Sequence, residues 1–451
     1  MTAPAGLEAL RQPGLAEFDR AGLLPAAAVA GAQIRSVRDS SDLPQIDRPR
    51  AMVVLGSAAA VDTAFLTALV GRGAGAPIVA ATALPAWVGA LDLVVVLAAR
   101  VDDDAAAEAA ATARRRGATT IVRAADSGPV ADAAGPFLFA PVVAVPEALA
   151  APARWALLAL VAARAGLGPT VELSRTADLL DATALACHPA AETFLNPGIN
   201  LAEYLGEGTG LLIGCDLLAD AVAGHAARTL ADLGGVAAGV LTAADAAGSP
   251  AVLRRAGAGK DLFSDPFTGG EPGQLVRPLL VSTTTQGPTQ GRPGAAFADR
   301  NAADSQVLSA MLRMFPGSMH LDGSSDALPA VGSLPNFSAP EPSTRGSSAR
   351  GSSVRESSAR EPAAREPSGR AATTGSGQGI EGTGSAVTVG ADSFDAAVAA
   401  VLRLDFAAVY LGIATGQLVP LDFPDGLGRA GGTRWAVRPA TVGGVWNESR
   451  A

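Results

Sequence analysis

Two short glycine turns carry residue types that could bind an anion. Gly56-Ser57 and Gly214-Cys215 each follow a short apolar run and precede a stretch with helical character. A turn of this kind directs backbone N–H groups and the positive end of a helix toward solvent, which favours a negatively charged ligand. Small residues are needed wherever a strand turns directly into a helix, so each turn is also explained by a purely structural role.

A third turn has the layout of an anion site but not the chemistry of one. The strand-like run Leu91–Leu97 leads into the loop Ala98–Asp104, and an alanine-rich helical stretch follows. The loop contains three consecutive aspartates and no hydroxyl group. A carboxylate next to a phosphate is unfavourable by Coulomb's law, and Arg100 is the residue of the loop that would compensate. The layout therefore favours anion binding, whereas the side chains oppose it.

The sequence contains no pattern that is typical of a cofactor site. No GxGxxG motif connects a strand to a helix and no P-loop is present, which argues against dinucleotides and nucleoside triphosphates. Cys187 and Cys215 form neither a CxxC pair nor a zinc pattern with the three histidines. We therefore expect no cofactor and no metal, and we interpret the two cysteines as buried packing residues.

Strand-like and helix-like runs alternate along most of the chain. Alternation of this kind predicts parallel sheets with helices on their faces, which is the α/β class. The unit of strand, glycine turn and helix at Met52–Val70 is repeated at Gly210–Leu233, so we predict two similar halves. The predicted strands are Ala51–Leu55, Pro77–Ala80, Leu91–Leu97, Thr119–Arg123, Val142–Val145, Gly210–Ile213, Val236–Leu241 and Pro278–Thr283, and the main predicted helices are Ala59–Val70, Ala105–Arg116, Ala151–Ala165, Thr170–Ala186, Leu217–Leu233, Ala302–Met314 and Ser393–Thr415.

The bulk composition argues against several classes of function. A formal net charge of −9 opposes binding to the phosphate backbone of nucleic acid. The longest apolar region, Phe137–Ala163, is interrupted by prolines and charges, so we expect no membrane span, which needs about 20 apolar residues. The first residues lack a basic patch followed by an apolar run, so we expect no secretory signal and predict a cytoplasmic protein.

One segment differs sharply in composition from the rest of the chain. Arginine recurs every five residues from Arg345 to Arg370 among Ser, Gly, Pro and Glu, with too few apolar side chains to form a core. This predicts a disordered linker, although serines beside these arginines leave open a phosphorylation or docking segment. The predicted organisation is an N-terminal helical arm at 1–50, a first domain at 51–168, a second domain at 169–333, the linker at 334–390 and a C-terminal helical segment at 391–451 that packs on both domains.

The chain resembles the bifunctional phosphoglucose and phosphomannose isomerases, a family with two sugar isomerase (SIS) domains. The first half resembles it in the runs PIVAATALPAWVG, DLVVVLAAR, RRRGA and APVVAVPEALAAPARWALLAL. The second half resembles the second SIS domain in the run NPGINLAEYLGEGTGLLIGCDLLADAVAGHAARTLADLGGVAAGV, and Tyr410-Leu411-Gly412 lies in a helix similar to the family's closing helix. The chain therefore looks like a divergent member, built from two SIS-type α/β domains.

The resemblance implies a ligand and a set of residues that bind it. Family members bind a sugar phosphate, interconvert aldose and ketose forms of hexose 6-phosphates, need no cofactor and form homodimers. Their serine- and threonine-rich phosphate loop corresponds to the acidic loop Ala98–Asp104 of this chain. The predicted substrate-binding residues are therefore Arg100 in that loop and the glycine-turn residues Gly56, Ser57, Gly214 and Cys215.

The catalytic groups implied by the resemblance are only partly present. The family's glutamate, which moves a proton between two carbons, aligns with Asp232, one methylene shorter. Its histidine and its C-terminal lysine have no counterpart. His225 and His188 are the nearest substitutes by residue type, although a packed histidine is an alternative role for His225. Two hypotheses follow, an aldose-ketose isomerase with Asp232 and His225 as catalytic residues, or a catalytically degenerate SIS protein that acts as a phosphosugar sensor or structural partner.

Overall fold

The computed structural model of the chain contains two parallel sheets and the helices that surround them. The described residues are 6–12, 14–39, 43–44, 46–257, 276–283, 295–315, 318–323 and 391–416, with the backbone alone at 72, 257, 295–302 and 391–392. The predicted linker at 334–390 and the chain beyond residue 416 lie outside the described residues.

Nine strands and thirteen helices, together with five short 3-10 helices, make up the described part of the chain. The strands are β1 Met52–Gly56, β2 Ile78–Ala81, β3 Leu93–Leu97, β4 Thr119–Arg123, β5 Leu138–Phe139, β6 Thr209–Gly214, β7 Ala238–Thr242, β8 Val276–Ser282 and β9 Met319–Asp322. The helices are α1 Leu23–Ala28, α2 Ala30–Arg38, α3 Ala59–Val70, α4 Asp104–Arg115, α5 Pro129–Ala134, α6 Ala151–Arg164, α7 Leu173–Ala186, α8 Pro197–Gly206, α9 Leu217–Asp232, α10 Ala243–Ala247, α11 Pro250–Gly257, α12 Ala295–Met314 and α13 Ala391–Ala414. The 3-10 helices are Leu7–Arg11, Leu15–Phe18, Gly71–Gly73, Gly135–Phe137 and Glu147–Leu149.

The strands form two parallel sheets. The first has the order β2-β1-β3-β4-β5 and the second the order β7-β6-β8-β9. This confirms the predicted α/β class with two parallel sheets flanked by helices. In the first sheet Gly56, Leu97, Arg123 and Phe139 lie in register where four strands end. We call this row and the turns that follow it the carboxyl edge of the first sheet.

The prediction of a strand at Val142–Val145 is wrong. The strand that pairs with β4 is β5, through Val122 with Leu138 and Arg123 with Phe139. The predicted segment is irregular and Val142 is 86% exposed. Prolines at 141 and 146 flank it and cannot donate to a ladder, which explains why an apolar run here does not extend the sheet.

A single core lies between the two sheets and is shared by both halves. Helices α4 and α5 cover the outer face of the first sheet, and α10, α11 and α12 cover the outer face of the second. The inner faces contact a common cluster that includes α3, α6, α9 and α13. The predicted boundary between the domains, at residue 168, falls in the connection between α6 and α7, and α2 packs on both of these helices.

Helix α13 lies inside the protein although it is long and apolar. Its residues from 394 to 414 are all buried, against α7, α8 and α9 among others. The segment Ser393–Ala414 has the length and composition of a membrane span, but the whole of its most apolar window is buried in the protein. Its charged residues have partners, since Arg403 donates to the Asp322 carbonyl at 2.7 Å and Asp405 contacts His225. Helix α13 is therefore a central core element.

Replacing Gly323 should loosen the packing of α13. A Cβ at Gly323 would lie 2.2 Å from the Ala396 Cα and 2.4 Å from its carbonyl oxygen, so alanine must displace the α13 backbone. We expect Gly323→Ala to lower the free energy of unfolding by about 1–3 kcal/mol, measured by urea denaturation. Gly224→Ala is the control, because its Cβ would meet Val61 at an ordinary 3.6 Å and alanine favours a helix by up to about 1 kcal/mol. Equal stability of the two variants would contradict this packing.

Candidate functional site

The carboxyl edge of a parallel sheet is where α/β proteins place their ligands. At this edge of the first sheet β1 ends at Gly56, whose backbone has φ 149°. A Cβ at this position would lie 2.5 Å from the Leu97 carbonyl oxygen, so only glycine allows the two strands to end this close together. Ser57 follows and is exposed. The first predicted glycine turn is thus a tight, solvent-facing turn at this edge.

Helix α3 begins at this turn without a capping side chain. Its N-cap residue is Ala58, which makes no side-chain hydrogen bond to the first turn of the helix. The exposed Arg228 of α9 donates from Nη1 to the Ser57 carbonyl at 3.0 Å. A cation from the second half of the chain is therefore fixed beside the uncapped N-terminus of a helix in the first half, and both features attract an anion.

Helices α3 and α9 run in opposite directions along each other. Ser57, at the start of α3, contacts Arg228 near the end of α9, and Val61 lies beside Gly224, one turn earlier in α9. The C-terminal end of α9 consequently faces the carboxyl edge of the first sheet. Its N-terminal end lies at the carboxyl edge of the second sheet.

The acidic loop after β3 supplies its own anion. The Asp103 carboxylate caps α4 by accepting from the Ala106 N–H at 3.0 Å. Arg100 is exposed and pairs with Asp102 through two hydrogen bonds of 2.9 and 2.7 Å. Hydrogen bonding between the two side chains, more than their Coulomb attraction, lowers the pKa of Asp102 and raises the pKa of Arg100. The predicted binding residue Arg100 is thus engaged within its own loop.

The second glycine turn also has a carboxylate of the chain at the start of its helix. Asp216 caps α9 by accepting from the Ala219 N–H at 2.8 Å, and it also accepts from the Thr283 N–H at 2.7 Å and the Thr283 hydroxyl at 2.8 Å. Cys215 is buried, and burial raises the pKa of its thiol to about 12, so the thiol stays protonated at neutral pH. Gly214 and Cys215 therefore lie at a turn whose N–H groups already have a carboxylate partner.

Asp220 is an unusual carboxyl group beside this turn. It lies so close to Gly214 that a Cβ there would be 2.1 Å from its Oδ1, and this oxygen is buried with no hydrogen-bond partner among the described residues. Burial, followed by the charges of Asp216 and Asp245, raises the pKa of Asp220 to about 7. Sequence reasoning missed Asp220; the available signal was its position four residues after the capping aspartate, which brings it back over the turn.

A buried charge network lies beneath the carboxyl edge of the first sheet. We give this name to Asp62, Arg123, Glu147 and Arg154. Arg154 donates from Nε to Asp62 at 2.9 Å and from Nη1 to Glu147 at 2.7 Å, and Trp155 donates to the other Asp62 oxygen at 2.8 Å. Arg123 contacts Glu147 at 3.3 Å. Burial would lower the pKa of Arg154, but the charges of Asp62 and Glu147 outweigh it and raise the pKa, whereas burial lowers the pKa of Arg123.

His225 belongs to the core and contacts α13. It is 4% exposed, and its Nε2 lies 2.8 Å from Asp405 Oδ1 and 3.1 Å from the Thr229 hydroxyl. Burial raises the pKa of Asp405, and the neighbouring His225 opposes that shift. These contacts join α9 to α13, so the structure gives His225 a packing environment and leaves its catalytic role as a prediction.

The predicted site residues fall into separate groups. Asp232 is exposed at the end of α9, one turn beyond Arg228, and therefore lies at the same end of the helix as the Gly56-Ser57 turn. His225 is seven residues earlier, about 10 Å along the helix axis, and it is buried, whereas Asp232 is exposed. Gly214 and Cys215 lie at the opposite end of α9. Within the described part of the chain, no group of three or more metal-ligating side chains occurs.

Sequence reasoning did not identify the charged partners at this edge. Arg228 was passed over because its partner Ser57 is 171 positions away in sequence. Glu147 was also passed over, although its partner Arg154 lies only seven positions later. A signal was present for Arg154, since a charge within an otherwise apolar helix must find a partner when that helix is buried.

The fold is similar to those of several solved structures, although no protein-family model and no curated protein matches the chain. The C-terminal domain of glucosamine-fructose-6-phosphate aminotransferase from Francisella tularensis has a TM-score of 0.48 at 10% identity over 87% of this chain and 94% of that chain. A glucose-6-phosphate isomerase like protein from Thermus thermophilus has a TM-score of 0.41 at 16% identity over 92% of this chain and 94% of that chain. At these identities most side chains differ.

The stability of the protein should depend on pH through Asp220. The ordinary pKa of an aspartate, 3.8, applies to the unfolded chain, whereas the pKa of Asp220 in the folded chain is about 7. Between these two pH values the folded state keeps a proton that the unfolded state has lost. The free energy of unfolding should therefore fall as the pH rises from about 4 to about 7. Asp220→Asn should remove this decline, measured by urea denaturation at pH 5 and pH 8, whereas Asp126→Asn at an exposed position should not. An Asp220→Asn variant with the pH dependence of the native chain would contradict the burial of this group.

Proposed function

We propose that the chain binds a sugar phosphate at the carboxyl edge of the first sheet and isomerises it between aldose and ketose forms, as an SIS protein of the phosphoglucose and phosphomannose isomerase type. The observation that carries the proposal is the position of Arg228 beside the uncapped N-terminus of α3. The other two turns considered have a carboxylate of their own at this place, so the β1–α3 turn is the one that can accept an external phosphate.

The proposed chemistry begins with the phosphate. The N–H groups at the start of α3 and the Arg228 guanidinium would hold it by charge-assisted hydrogen bonds. Isomerisation then requires that the C2–H bond of the aldose breaks and a C1–H bond forms, while the proton of the C2 hydroxyl moves to the oxygen on C1. Asp232, one turn beyond Arg228 and exposed, is the carboxylate that we assign to the carbon-bound proton.

Binding can be tested by calorimetric titration with glucose 6-phosphate and mannose 6-phosphate. Arg228→Gln should weaken binding by about 10-fold or more, because it removes a charged hydrogen-bond donor. Arg115→Gln is the matched control, since Arg115 is exposed on α4 and hydrogen-bonds the Thr112 side chain. Native binding that is unchanged in Arg228→Gln would refute this location, and no binding by the native chain would refute the proposed function.

A second candidate function is a phosphosugar sensor or structural partner that has lost catalysis. It is favoured by the contact of His225 with Asp405 in the core, which engages the histidine that the isomerase hypothesis assigns to catalysis. A coupled assay of aldose-ketose turnover separates the two candidates. The isomerase predicts turnover that falls by about 10²- to 10⁴-fold in Asp232→Asn. Binding without turnover by the native chain would favour the sensor, and turnover unaffected by Asp232→Asn would remove Asp232 from the reaction.

The homodimer that the resemblance implies is also a proposal. Light scattering should then give twice the chain mass of 44.7 kDa, and a single-chain mass would contradict it.

A further inference from the structure

The short 3-10 helix Glu147–Leu149 contacts α9 beside Arg228, the arginine proposed to hold the phosphate. The Ala148 carbonyl accepts from the Thr229 hydroxyl at 3.4 Å. Thr229 directly follows Arg228, which contacts Ser57. A continuous path of contacts therefore leads from the β1–α3 turn, across α9, to Glu147. All of these groups lie at the carboxyl edge of the first sheet.

Glu147 differs from the rest of the buried charge network in its exposure. The Asp62 and Arg154 side chains are 0% and 3% exposed, and that of Arg123 is 6%, whereas the Glu147 side chain is 28% exposed. Each Glu147 oxygen contacts one guanidinium, at 2.7 Å from Arg154 and 3.3 Å from Arg123. A carboxylate oxygen can accept more than one hydrogen bond, so both oxygens keep capacity for a donor arriving from solvent.

Arg123 fixes the position of Glu147 relative to the β1–α3 turn. Its Nε is buried and has no acceptor among the described residues. Arg123 lies in register with Gly56, two strands away, which separates the two backbones by about 10 Å. A phosphate at the start of α3 would leave the remainder of an extended ligand pointing along this edge. A carbon chain with several hydroxyl groups donates hydrogen bonds to carboxylates, which matches the partly exposed Glu147.

We propose that Glu147 is the residue that recognises the sugar, by accepting hydrogen bonds from its hydroxyl groups, while the two arginines hold its carboxylate in place. This rests on the proposed function, because it takes the phosphate of the ligand to lie at the β1–α3 turn. Glu147 then determines specificity for a polyhydroxylated phosphate ester over a simple one. Binding of the phosphate group at the β1–α3 turn does not depend on Glu147.

The test compares two ligands, glucose 6-phosphate and methyl phosphate, in calorimetric titrations of the full chain. The native chain should bind glucose 6-phosphate at least about 10-fold more tightly than methyl phosphate. Glu147→Gln should weaken the binding of glucose 6-phosphate by about 10-fold and leave the binding of methyl phosphate unchanged. Glu108→Gln, at an exposed position on α4, should change neither.

Glu147→Asp covers the case in which the glutamine variant does not fold. This variant keeps the negative charge that faces the arginines but has a shorter side chain. It should therefore also weaken the binding of glucose 6-phosphate more than that of methyl phosphate. A variant that weakens both ligands equally would show that Glu147 only supports the arginines, and equal affinity of the native chain for the two ligands would also overturn the proposal. No binding of glucose 6-phosphate by the native chain would instead be a failure of the proposed function itself.

Discussion

Charges buried between the two sheets constrain the rest of the structure. Arg154 is 3% exposed and is stabilised by Asp62 from α3 and by Glu147 from a separate 3-10 helix. Removal of one partner from such a cluster costs about 3–5 kcal/mol, because the remaining charge stays buried. The elements that carry the partners must therefore keep their relative positions. Asp62 is in the first turn of α3, so this requirement also fixes the start of α3 and the glycine turn before it.

The same reasoning extends to the second half of the chain. His225 and Thr229 of α9 contact Asp405 and the Ala148 carbonyl, which ties α9 both to the central helix α13 and to the segment that holds Glu147. With α3 and α9 fixed side by side, Arg228 reaches the Ser57 carbonyl. The proposed site is thus made by residues from both halves, and its geometry depends on the shared core.

The three strand-to-helix turns show how one layout can have different chemistry. Each places the N-terminus of a helix at the carboxyl edge of a sheet, where the helix dipole favours negative charge. The chain supplies that charge itself at α4 and α9, through Asp103 and Asp216. At α3 no side chain caps the helix, because the Asp62 carboxylate in its first turn accepts from Arg154 and Trp155, and the cation Arg228 lies beside the turn. The acidic loop after β3, which opposes phosphate binding by its sequence, is explained as an internally capped helix.

Local sequence signals predicted the framework well. Helix Ala59–Val70 and strand Thr119–Arg123 have the predicted bounds, because apolar runs with glycine at their ends specify such elements locally. The candidate site could be predicted only in part. The Gly56-Ser57 turn is local, but the antiparallel packing of α3 on α9 decides that Arg228 contacts this turn, that Asp232 lies at the same end of α9, and that Gly214-Cys215 lies at the other end. No periodicity within a window of residues encodes that packing.

Hydrogen exchange with mass spectrometry tests the central claim, that the β1–α3 turn is open to an external anion while the other two turns are closed. Saturating glucose 6-phosphate should slow the exchange of backbone amides at 57–62 and leave those at 99–107 and 216–221 unchanged. Protection at either acidic turn, or unchanged exchange at 57–62 with ligand bound, would contradict this assignment.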